Sequence, residues 1–372
     1  MSLDVISKVI SQGHLLAAHS WEYGAFSEAL LEWHNPELSV FGASPFPDGK
    51  VPVVQVDQVE SLSYAQPHIR TNSTTLVDGD GAAGDPASLA VSAIFIGQTQ
   101  ESFLSAAERQ IDHLLTDVPR WSNGAISHRE DYAELWADFV YMVPPALAYW
   151  AIQSANETLL RYAIEQCLLY RDVLAVSDNA DADADAAGLW HHIIGPQNED
   201  LGIWSTGNAW TAAGMTRVLA TAKKSPWAEV LAPDSGRLTA AIRDILDAAI
   251  ALDNAEPSEP LLRNYLDDRS WFGELSGTTL LVATTYRMAR LDPATFGPGY
   301  VAWADGKRGE VVTRINGDGL LSPVINPLNW GDRTPGTASP EAQSFAVLMF
   351  AAYRDFKGAS CGRRRHSVKR RS

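Results

Sequence analysis

The 372-residue chain has only two cysteines, Cys167 in an apolar stretch and Cys361 close to the C-terminus. Two thiols cannot make the disulfide framework of a small secreted domain, and neither has companions at metal-ligand spacing. Positive charge is also short: 29 Lys and Arg stand against 45 Asp and Glu, for a formal net charge of −16. That balance argues against a nucleic-acid partner, because neutralising phosphates needs a basic surface. No apolar run reaches the roughly 18 residues that would span a bilayer, and residues 1–21 lack the basic segment and apolar core of a leader. We therefore expect no membrane association and a cytoplasmic protein, or a secreted one if a leader precedes the sequence. Strand-like alternation is scarce as well, so an all-α fold is expected.

What basic charge there is gathers at the end, where six of the last ten residues are Lys or Arg. We read residues 358–372 as a solvated, disordered basic tail and residues 1–357 as one domain. The tract DNADADADAAG, 178–188, reads as a solvated acidic loop. Twelve Trp are present, most of them expected in the core and some suited to stacking on sugar faces.

Helical periodicity supplies the rest. A first pair covers 3–18 and 22–34, and the Pro- and Gly-rich interval 35–84 holds at most one poor helix. Within it, 76–85 is Asp/Gly-rich without EF-hand spacing and reads as a loop. Further helices are expected over 85–98, 102–116, 131–154, 156–176, 206–219, 234–253, 271–291, 293–305 and 339–356. Asp85 before Pro86 is a capping signal, and so is Ser339 before Pro340 and Glu341. Apolar helices rich in small residues recur every 50 to 75 residues or so, each with a partner. Six such hairpins close most economically into an (α/α)6 barrel, with a two-domain all-α protein as the alternative. In a barrel the N-terminal tips of the inner helices converge at one end, where their free N–H groups attract anions. The tips bring Trp21 and Glu22, Asp85, His128 and Arg129 with Trp136 and Asp138, His191 and His192, Trp204 to Trp210, Glu274 and Glu341.

One tip is unusual. In SHREDYAELWADFVYMVPPALAYW, 127–150, Asp138 sits between Trp136 and Phe139, just ahead of Met142 and the pair Pro144-Pro145. Asp138 could simply cap a helix. An apolar collar would instead favour its protonated form by desolvation, as a proton donor requires. The two prolines should force the regular helix to begin or kink near Val143.

Several segments, in register, resemble the unsaturated glucuronyl and rhamnogalacturonyl hydrolases of glycoside hydrolase families 88 and 105, the six-hairpin glycosidases. SHREDYAELWADFVYMVPPALAY is similar to the segment in which a His precedes a W-x-D-x-x-[FY]-M-x-x-P core. DPASLAVSAIF, 85–95, resembles the Asp-led inner helix before it. GLWHH, 188–192, with WSTGNAWTAAGM, 204–215, resembles the aromatic-His segment and the W-x-R-G-x-x-W helix start, and ELSGTTLL, 274–281, resembles the next inner helix.

The resemblance implies an enzyme that removes a 4,5-unsaturated uronic acid from oligosaccharides made by polysaccharide lyases, of pectin or rhamnogalacturonan type, without a metal or other cofactor. It implies that Asp138 is the general acid/base, protonating C4 and helping water add at C5, and that Asp85 orients water or a hydroxyl. It places His128, Arg129, Trp136, Met142, His192, Trp204, Asn208 and Trp210 around the substrate. For Asn208 the residues themselves leave sugar binding and capping equally open, and Trp210 could be pure core. Thr206 stands where many relatives carry Arg, a residue able to clamp a carboxylate, and Arg129 or Arg217 are the candidates to replace it. A sugar epimerase, an ordinary two-carboxylate glycosidase drawing on Glu22, Glu274 or Glu341, and a silent carbohydrate-binding protein remain open beside this reading.

Overall fold

The computed structural model describes residues 3–176 and 186–369, with side chains as far as residue 359. The acidic tract read as a loop lies almost wholly outside the described residues. The described residues hold twelve α-helices: α1 (Leu3–Leu16), α2 (Ser20–His34), α3 (Glu60–Ala65), α4 (Ala90–Gly97), α5 (Glu101–Thr116), α6 (Phe139–Gln153), α7 (Glu157–Leu174), α8 (Ser205–Lys224), α9 (Ala232–Asn254), α10 (Leu275–Leu291), α11 (Pro298–Thr313) and α12 (Pro340–Lys369). Two short strands, β1 (Leu135–Trp136) and β2 (Ile193–Ile194), pair antiparallel.

The helices form an (α/α)6 barrel. The inner ring closes because α2 packs on α12 and on the 3₁₀ turn Asp85–Leu89 that leads into α4. α6 packs on the same turn and on α8, α8 packs on α10, and α10 packs on α12. Burial follows from that position. Every residue of α8 from Ser205 to Ala222 is buried, because an inner helix meets protein on all sides, whereas outer α5 buries one stripe made by Ala106, Ala107, Gln110, Ile111 and Leu114.

Each inner helix has an outer partner: α3 for α2, α5 for α4, α7 for α6, α9 for α8 and α11 for α10. The sixth pairing differs from the sequence expectation, which joined 3–18 to 22–34. α1 packs chiefly on α12, so the two ends of the chain together make the sixth hairpin. A short connection cannot by itself tell which neighbour an amphipathic helix covers. The interval 35–84 supplies the weak outer helix α3, as expected.

Two expected helix boundaries differ from the structure. Of the two outcomes expected at the prolines, a start or a kink near Val143, the start is ruled out: α6 begins at Phe139 and carries Pro144 and Pro145 inside it. The prolines withdraw the N–H donors that would serve the carbonyls of Val140 and Tyr141. The helix persists because every residue from Phe139 to Tyr149 is buried, and because Gly214 lets α8 lie against the Val140 carbonyl, where a Cβ would fall 2.1 Å from its oxygen. At the C-terminus the helix expected to stop at Phe356 runs to Lys369, so much of the presumed tail is helical.

The closed end of the barrel is sealed by charge. Arg217 on α8 pairs with Glu28 at 2.7 Å and Glu32 at 2.5 Å, while Arg287 on α10 pairs with Glu32 at 2.5 Å and Asp355 at 2.6 Å. Buried ions need such mutual pairing, and this network ties α2, α8, α10 and α12 together. Arg217 is thereby fully engaged three helical turns from the tip of α8. It cannot replace the missing Arg at position 206.

Candidate active site

At the open end the loops that precede the inner helices are joined into one backbone ladder. Ala82 bridges Arg129, the His128 N–H donates to the Glu134 carbonyl, the Ala137 N–H donates to the His192 carbonyl, and Trp204 bridges Tyr265. The pairing of β1 with β2 sits in the middle of this ladder, with Trp136 opposite Ile193. The residues read from separate motifs thus share one frame. They surround a cavity of about 160 Å³.

Asp85, His128, Arg129, Trp136, Asp138, Met142, His192, Trp204 and Trp210 all line that cavity. Asp138 takes the position before α6 but makes no capping hydrogen bond, and its Oδ1 is buried without a hydrogen-bond partner. Its Oδ2 lies 3.6 Å from Nε2 of His192, in ion-pair range but too far for a hydrogen bond. Nδ1 of His192 lies 2.9 Å from Asp200, which also accepts hydrogen bonds from the Tyr265 hydroxyl and the Gly202 N–H. Burial disfavours the charged His192 ring, but Asp138 and Asp200 outweigh that and raise its pKa above the ordinary histidine value. His192 is therefore an oriented ring with a tendency to hold its second proton.

Asp85 opens the 3₁₀ turn, and Gly84 rather than Asp85 takes the cap position. Burial first, then the nearby Asp138, push its pKa up to about 8 despite Arg129, so Asp85 is mainly the neutral acid at pH 7. His128 faces Asp85 at 3.8 Å and stacks on Trp136 with ring centroids 4.8 Å apart. Burial, helped by Arg129 and His192, pushes its pKa down to about 3, so His128 is neutral and its Nδ1 is unpartnered. Gly84 is needed here, since a Cβ would come within 2.9 Å of Phe139 and 3.1 Å of His128.

The aromatic walls are held by polar groups behind them. Trp136 donates to the buried Glu134 at 2.8 Å, and Glu134 also accepts from Gln197 and Asn198. Trp204 donates to Asn264 at 2.9 Å and lies 4.4 Å from the His192 ring, centroid to centroid.

Asn208 does not join the site. Its Oδ1 accepts from the Trp190 N–H at 2.8 Å, and its Nδ2 donates to the carbonyls of Trp190 and Trp204 at 2.9 and 3.0 Å. With no exposed surface and its amide occupied, Asn208 braces two loops rather than holding a sugar. Thr206 is equally buried, its Oγ1 without a partner. Glu22 caps α2 by accepting from the N–H groups of Ala18 and His19, and Glu274 caps α10 by accepting from Ser276 and Gly277. Neither carboxylate is free for the chemistry of a second catalytic acid.

The structure adds lining residues that the motifs did not assign to substrate: Trp21, Asp80, Leu328, Trp330 and Glu341. Trp330 stands 5.5 Å from Trp136 and 5.0 Å from His192, centroid to centroid. It comes from the irregular stretch before α12, where no periodicity signals a role. Glu341 and Trp21 were visible as helix tips, and the Trp21 indole N–H donates to Glu341 at 2.9 Å. Among the described residues no group of three or more His, Cys, Asp or Glu is arranged to hold a metal ion.

The sequence model of Glycosyl Hydrolase Family 88 matches residues 68–285, the span that carries Asp85, His128, Asp138 and His192. The chain belongs to this family. As a family 88 member it is a glycosidase, and its substrate is an oligosaccharide. The fold is shared with a possible member of the GH105 family from Salmonella enterica serovar Paratyphi A, at 16% identity over 96% of this chain and 93% of that one, with a TM-score of 0.72. It is also shared with a family 88 glycosyl hydrolase from Bacteroides vulgatus, at 12% identity over 95% and 98% of the two chains, with a TM-score of 0.66. An unsaturated glucuronyl hydrolase specific for heparin has the fold too, at 12% identity over 96% and 99%, with a TM-score of 0.62. Comparison with curated proteins gives no match.

Proposed function

We propose that this family 88 glycosidase removes a 4,5-unsaturated uronic acid from the non-reducing end of oligosaccharides released by polysaccharide lyases, by hydrating the double bond. The observation that carries this reading is the meeting of Asp85 and Asp138 in one small aromatic cavity, with Asp85 driven toward its neutral form. Protonation of C4 by a carboxylic acid leaves positive charge at C5, water adds there as it gives its proton to the carboxylate, and the resulting hemiketal opens and releases the linked sugar. We assign the proton transfers to Asp138, whose Oδ1 has no protein partner, and the positioning of water or a hydroxyl to Asp85. His192 steadies the ionised stage of Asp138 from 3.6 Å. Arg129 is the only Arg or Lys among the described lining residues, which makes it the natural contact for the uronate carboxylate.

The test is a panel of lyase products from pectin, rhamnogalacturonan and glycosaminoglycans, followed by loss of the ultraviolet absorbance of the unsaturated ring. Loss on at least one member, with release of the linked sugar, is expected. Absence of turnover on every member, with hydrolysis of a saturated glycoside instead, would replace this reading with ordinary glycoside hydrolysis.

A further inference from the structure

Glu341 stands at the start of α12, 2% exposed, on the wall of the cavity. Its Oε1 accepts from the Trp21 indole N–H at 2.9 Å. Its Oε2 is buried and has no hydrogen-bond partner in the protein. A buried polar atom left unmatched costs stability unless some group satisfies it, and Glu341 borders the cavity through which such a group would come.

The surroundings say what that can be. The charged groups acting on Glu341 are Asp138, Glu22 and Glu274, all acidic. Burial first, and these neighbours next, raise its pKa well above the ordinary carboxylate value. Arg129 acts elsewhere in the cavity, on Asp85. The cavity is thus polarised, with a cation beside Asp85 and His128 and a cluster of acids around Glu341. A carboxylate is repelled from the second wall, while a hydroxyl fits it.

Resting on the unsaturated-uronide reading above, we infer that Glu341 is a specificity-determining residue: its free Oε2 hydrogen-bonds a hydroxyl of the bound sugar and turns the ring so that the uronate faces Arg129. This role differs from that of a second catalytic carboxylate, which must ionise. Glu341 works as a hydrogen-bonding group held in place by Trp21.

Two variants, Glu341→Gln and Glu341→Ala, separate these roles. Turnover is measured on whichever unsaturated disaccharide the wild type consumes, and binding of unsaturated disaccharides is measured by calorimetry in the Asp138→Asn background. Glu341→Ala should raise KM about tenfold and weaken binding by a similar factor with kcat within about threefold, and Glu341→Gln should restore both to within about threefold of wild type. Unchanged binding in Glu341→Ala overturns the inference. So does a Glu341→Gln protein that binds normally but loses kcat, since that assigns Glu341 an ionised catalytic role. If the wild type turns over no member of the panel, the reaction assignment fails while the binding comparison still decides Glu341. Absence of binding by the parent protein overturns both.

Discussion

Nε2 of His192 lies 3.6 Å from Oδ2 of Asp138, while the other nitrogen of the same ring is fixed by Asp200 at 2.9 Å. A ring held on both sides by carboxylates keeps one orientation. Its charge is also coupled to that of Asp138, one of the two carboxylates that raise its pKa.

Asp200→Asn tests this coupling. The raised pKa of His192 depends on both carboxylates, so loss of one lowers it. A raised His contributes stability that is full below its unfolded pKa and is lost as pH rises through its folded pKa. Asp200→Asn should therefore lose more melting temperature near about pH 5 than near about pH 9. The alkaline edge of its kcat/KM profile should move to lower pH. Melts and a pH series on the same preparation check both.

Asp85 has linkage of the same sign, at a carboxyl group. Its pKa is raised from 3.8 to about 8, so the folded state holds a proton that the unfolded chain has released across that window. Its contribution to stability declines as pH rises from about 4 to about 8, and Asp85→Asn should flatten that decline. The variant should also turn over substrate more slowly while binding it normally. Unchanged kinetics would leave Asp85 with a structural role alone.

The barrel was legible from the recurrence of small, apolar helices, since an inner helix needs both properties over most of its surface. Most of the cavity was legible too, because Asp85, His128, Trp136, Asp138 and His192 stand beside helix starts in recognisable segments. What stayed hidden depends on pairing across the chain. Asn208 looked available until Trp190, 18 residues away, was seen to occupy its amide. Arg217 looked like a substitute for the Arg missing at Thr206 until Glu28 and Glu32 were found beside it. Trp330 lies on a stretch without periodicity, and only the folded loop brings it to His192.

Asn208→Ala should destabilise the fold by about 2 kcal/mol, because the buried N–H and carbonyl groups of Trp190 lose their partner. Sugar affinity in the folded protein should stay within about twofold of wild type, as measured by denaturant unfolding and calorimetry on one sample. A selective loss of affinity would return Asn208 to the binding site.

Gly214→Ala should cost about 2 to 3 kcal/mol, since the added methyl meets the Val140 carbonyl oxygen at 2.1 Å where α6 and α8 are in closest contact. Chemical denaturation reads this directly. A neutral outcome would mean that α6 can shift at its prolines without penalty.

The central claim is tested most directly by Asp138→Asn. The amide keeps the shape of the side chain but has no carboxylic proton to give, and Asp138 makes no capping bond whose loss would weaken α6. On the unsaturated oligosaccharide that the wild type consumes, the variant should lose activity by about 10³-fold or more while its melting temperature stays within a few degrees. A folded Asp138→Asn protein that removes the ultraviolet absorbance at a rate within about tenfold of wild type would contradict the account.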